Sequence, residues 1–62
     1  MHTDTVAMIN AKISDVHARV RFMDRLGMKK AELLAAAAAR GLDTTGTRST
    51  LAHRLARTAG GF

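Results

Sequence analysis

An all-α fold is predicted by three features of the sequence. Its first third repeats apolar residues at alternating spacings of three and four, its middle holds five consecutive alanines, and proline is absent. The spacing is that of one helix face, alanine has the best intrinsic helix propensity, and no proline interrupts the backbone hydrogen bonding.

The first helix is expected over residues 4–25. Val6, Ile13 and Val20 fall at heptad position a and Ile9, Val16 and Met23 at d, which makes a continuous seam. Thr3 or Thr5 can cap the start, Asp4 suits the positive end of the helix dipole, and Gly27 stops the helix. Met8, Phe22 and Leu26 form a second apolar set off the seam.

The second helix is expected over residues 29–40, with Gly41 as its stop and Leu42 at the apolar position beyond a Schellman-type end. A loop at 43–46 leads to Thr47, the natural N-cap of a third helix over 48–57, where Leu51 and Leu55 share a face. Residues 58–62, with two glycines and little apolar content, read as a flexible tail.

With 62 residues, the chain is one small domain, and a core of that size ordinarily needs a staple. Cysteine is absent, which excludes disulfides and thiolate metal sites, and His2, His17 and His53 are too scattered for a local ligand pattern. No metal and no cofactor is therefore expected, and oligomerisation is left as the staple. No apolar run is long enough to span a membrane, and the start of the chain lacks the pattern of a signal peptide. A soluble, cytoplasmic protein follows as an expectation. The Ala- and Arg-rich composition suits a bacterial or bacteriophage source.

The net charge of +5 is unevenly placed. Residues 1–28 carry four cations and three acids, whereas residues 29–62 carry six cations and two acids, with none after Asp43. Such asymmetry marks an end suited to a polyanion. An enzyme is not expected: the chain has no Ser–His–acid set, paired carboxylates or phosphate-cradling glycine loop, and it is too short for a substantial pocket.

The stretch at 28–57 carries the functional signal. Ala31-Glu32-Leu33 stand early in the second helix and Arg40-Gly41-Leu42 at its end; Gly46 and Arg48 follow, then Leu51 and Arg54-Leu55. In this register the segment resembles the SAP motif, a helix–extended loop–helix module. The resemblance implies binding of double-stranded DNA, with little base-specific contact and a preference for AT-rich tracts read through groove shape.

Residue types support that implication position by position. Leu33, Leu42, Leu51 and Leu55 suit a small core, with Met28 at its edge. Gly46, Thr47, Arg48 and Ser49 lie at a helix N-terminus, where free N–H groups favour an anion. Lys29 and Lys30 stand at the other helix start, and Arg40 and Arg54 complete the expected DNA-binding set. The chain departs from the SAP pattern where Lys30 replaces a Val or Thr, where Ala37 replaces a larger apolar residue, and where alanines replace a charged outer face. Modules of similar outline, the LEM and Rho N-terminal types, bind proteins or RNA. The alternative expectation is accordingly a protein-interaction adaptor.

The seam residues Val6, Ile9, Ile13, Val16, Val20 and Met23 are expected to pair two copies into a homodimer, with Phe22 and Leu26 packing on the chain's own module. The expected whole is a small, non-catalytic, DNA-associated dimer: residues 1–27 oligomerise, 28–57 bind DNA, and the role is architectural, coating or regulatory.

Overall fold

The computed structural model describes residues 5–58 and is all-helical over them, with no strand. In chain order the helices are α1 (Thr5–Lys12), α2 (Val16–Arg25), α3 (Lys30–Ala39) and α4 (Arg48–Ala56). Of the expected features, the capping candidates Thr3 and Asp4 and the tail from residue 59 onward lie outside the described residues.

The single helix expected over 4–25 is instead two helices joined at residues 13–15. No glycine or proline stands at this break, so side chains must hold it. Asp15 is the N-cap of α2: its backbone is extended, and its carboxylate accepts the Ala18 N–H at 3.1 Å. Arg19 then reaches back over the joint. Its Nη2 donates to the Asn10 carbonyl at 2.9 Å, its Nε to that of Ile13 at 2.5 Å, and its Nη1 to that of Ala56 at 2.5 Å. The guanidinium thus sits where the C-terminal ends of α1 and α4 meet, and its charge opposes both negative dipole ends.

The same junction is tied from the other side. Asn10 is buried, and its Nδ2 donates to the carbonyls of Leu55 at 2.9 Å and Thr58 at 3.2 Å. Polar groups of α1 and α2 therefore donate to carbonyls at the C-terminal end of α4 and just beyond it.

The stop after α3 is a Schellman motif. Leu42 N–H donates to the Ala37 carbonyl at 2.9 Å and Gly41 N–H to that of Ala38 at 3.1 Å. This geometry needs a left-handed residue, supplied by Gly41 at φ +68. The end of α2 is built alike: Met28 N–H donates to Met23 and Gly27 N–H to Asp24, which turns Met28 into the core.

α4 packs against all three other helices and lies at the centre. Leu51 and Leu55 are fully buried on it, facing Leu33 and Ala37 of α3, Met23 of α2, and Val6 and Ile9 of α1 within one apolar cluster. Ala37 is wholly buried, so its small side chain sets how closely α3 approaches its neighbours. Leu42 is half-buried against the cluster.

The two apolar sets of the N-terminal segment pack differently within the chain from the expected arrangement. Val6, Ile9 and Met23 of the seam lie in the chain's own core, and Ile13, Val16 and Val20 pack half-buried against it. Phe22 and Leu26 face solvent instead, 38% and 51% exposed. With Met8 and Ile13 they line an apolar groove between α1 and α2. Bending the segment at 13–15 turns the seam inward and leaves the second set outside.

Candidate nucleic-acid interface

Two helix N-termini meet on one side of the molecule. Arg48, the first residue of α4, donates through Nε to the Met28 carbonyl at 2.8 Å, on the peptide unit that leads directly into Lys29. Its Nη1 also pairs with Asp24 of α2 at 2.6 Å. One guanidinium thereby fixes the start of α4 beside the start of α3.

At the start of α3, Lys29 is the N-cap residue and Lys30 the first helical residue, both exposed. Neither ammonium has an ion pair or hydrogen bond among the described residues. The Glu32 carboxylate accepts the Lys29 backbone N–H at 3.4 Å, so this acid is turned toward the helix backbone. At the start of α4, the Thr47 hydroxyl accepts the Thr50 N–H at 3.2 Å, while Ser49 is exposed. Positive dipole ends, two unpaired ammonium groups and an exposed hydroxyl thus share one end of the molecule.

Arg48 is therefore tied to the start of α3, where Lys29 and Lys30 stand, and Thr47 and Ser49 are its neighbours in the chain. Arg40 stands apart: it caps the far end of α3, with Nη1 on the Ala36 carbonyl at 2.9 Å. Gly46 shapes the loop at φ +113, and a Cβ there would stand 3.0 Å from the Thr50 methyl. Arg54 holds the same loop, Nη1 donating to the carbonyls of Asp43 at 2.6 Å and Thr45 at 2.9 Å. Asp43 forms an Asx turn beneath it, accepting the N–H and hydroxyl of Thr45 at 2.9 and 2.8 Å. Those two bonds, the backbone one foremost, hold the Asp43 carboxyl below its usual value of 3.8, with a smaller contribution from Arg54.

The outer face of α4 adds His53 and Arg57 to the expected Ser49 and Arg54. Ser49, His53 and Arg57 recur every fourth residue, and with Thr50 and Arg54 they line a shallow cleft running from the N-terminus of α4 toward its end. The signal was the spacing, which places all three on one helix face. His53 also meets His17 of α2 edge to face, ring centroids 6.1 Å apart.

Among the described residues no cluster of His, Cys, Asp or Glu is suited to hold a metal ion, and no helix is long and apolar enough to cross a membrane. Comparison with protein-family models, curated proteins and solved structures finds no match to this chain.

Proposed function

We propose that this chain is a non-catalytic protein that binds double-stranded DNA mainly through its phosphates, with residues 28–57 acting as a SAP-like module. The observation that carries the reading is the convergence of the α3 and α4 N-termini, with Lys29 and Lys30 exposed and unpaired beside them. Phosphate recognition needs donors and positive charge, not a deep pocket, and this end offers both. Lys29 and Lys30 are assigned as direct phosphate contacts. The exposed hydroxyl of Ser49 and the N–H groups opening α4 take a further phosphate, and Arg57 extends the track along α4.

Arg48 takes a different role from that of a free phosphate ligand. With Nε on Met28 and Nη1 on Asp24, it positions the two helix starts. Contacts made at helix ends and by flexible lysines carry no base code, so any AT preference is one of groove shape. Joining two such modules in a homodimer raises avidity by effective concentration and suits an architectural, coating or regulatory role on DNA.

A second reading, a protein-interaction adaptor, draws on the groove lined by Phe22 and Leu26, the large apolar side chains exposed among the described residues. Titration of duplex DNA with wild type and with Lys29→Ala/Lys30→Ala separates the two. The DNA reading expects the double variant to fold as wild type and bind roughly 10-fold or more weaker at low salt. Wild type that does not bind duplex DNA favours the adaptor.

A further inference from the structure

The sequence of residues 5–26 contains no helix breaker, and its heptad register runs without a skip through the joint at 13–15. Ser14 and Asp15 occupy the outward b and c positions of that register, so the seam itself does not require a bend. What holds the bend is local. Asp15 caps Ala18, and Arg19 occupies the carbonyls of Asn10 and Ile13. In an uninterrupted helix those carbonyls would instead accept the N–H groups of Ser14 and His17.

Burial along the seam has a matching pattern. Its ends, Val6, Ile9 and Met23, are fully buried, whereas Ile13, Val16 and Val20, grouped around the joint, are only partly covered. The incompletely covered part of the seam is thus the part at the hinge.

We propose that the 13–15 joint is a hinge through which two copies exchange α1. In the opened chain α1 and α2 form one helix, and α1 of each copy docks on α2 and α4 of the other, remaking the Asn10 bonds to Leu55 and Thr58 across the subunits. Exchange conserves every contact except those at the hinge, which makes it an inexpensive route to a dimer. The two hinge segments then lie side by side, and Ile13, Val16 and Val20 cover one another. This rests on the reading of the protein as a homodimer, and it supplies the way the pairing is made.

Two hinge variants and one measurement test it. Ser14→Ala/Asp15→Ala removes the cap and raises helix propensity without touching the seam. Ser14→Pro forbids a straight helix through the joint, where Pro would clash with the carbonyl of Asn10; no hydrogen bond from the Ser14 N–H is found in the bent form. Molecular mass is measured over a concentration series, with amide exchange at residues 14–16. The double-alanine variant is expected to dimerise at least about 10-fold more tightly than wild type, since the lost cap counts once in each chain. Its hinge amides become protected, and Ser14→Pro remains a folded monomer. A wild-type dimer matched in strength by Ser14→Pro would overturn the hinge while leaving the homodimer standing. Monomers throughout, in all three proteins, would overturn both.

Discussion

At Arg19 one guanidinium serves the carbonyls of Asn10, Ile13 and Ala56, so truncation leaves two helix ends without their cation. Hydrogen bonds to a charged group contribute about 1.5–3 kcal/mol each, and water regains part of that at a half-buried site. Arg19→Ala is accordingly expected to lower stability by about 2–4 kcal/mol, read from denaturant unfolding, with Arg19→Lys intermediate because an ammonium cannot reproduce the fork. Asp43 gives a prediction in pH. Its carboxyl is held below 3.8 when folded, first by the Thr45 N–H and then by its hydroxyl. A folded pKa depressed in this way contributes stability that is present above the unfolded value and lost as pH falls through the folded one. Wild type should therefore exceed Asp43→Asn in stability at neutral pH, and in paired denaturant titrations the difference should fade as pH falls below the unfolded value and through the lowered folded one. Single residues were the least legible part of the sequence. The ion pair of Arg48 with Asp24 spans 24 positions of the chain, and only folding brings the two together.

Helices and their stops were largely legible, because their signals are local. Gly41 closes α3 in a Schellman turn and Thr47 caps α4, as chemistry readable from neighbouring residues alone requires. The division of α1 from α2 was not legible. Asp15 at an outward heptad position reads as an ordinary surface acid, and Arg19 meets Ala56 from 37 positions away. The pairing of elements yields its own prediction at Ala37. This residue is wholly buried in the cluster shared by α3 and α4. Enlarging it forces the helices apart, so Ala37→Val is expected to cost about 1–3 kcal/mol, measured by thermal or denaturant unfolding. An unchanged midpoint would mean that the α3–α4 contact is looser than the burial of Ala37 requires.

For the whole molecule, composition foretold a small all-α protein with its positive charge concentrated after residue 28, and the fold gives that charge a shape. α4 sits at the centre, its N-terminus joined to that of α3 on the basic side and its C-terminus clamped to α1 by Arg19 and Asn10. Phe22 and Leu26 lie roughly half a turn round α2 from Asp24, the partner of Arg48, so the apolar groove and the basic end face different ways. A partner on the groove would leave the basic end open, and so would exchange of α1. The central claim, phosphate-directed binding of duplex DNA by that basic end, is tested most directly by the dependence of the binding constant on salt. The three cationic phosphate contacts per module, Lys29, Lys30 and Arg57, give a log–log slope of about −2.7, and two modules acting together about twice that. Removing Lys29 and Lys30 should make the slope shallower by about 1.8 per module. A binding constant insensitive to salt, or a slope unchanged in Lys29→Ala/Lys30→Ala, would contradict the account.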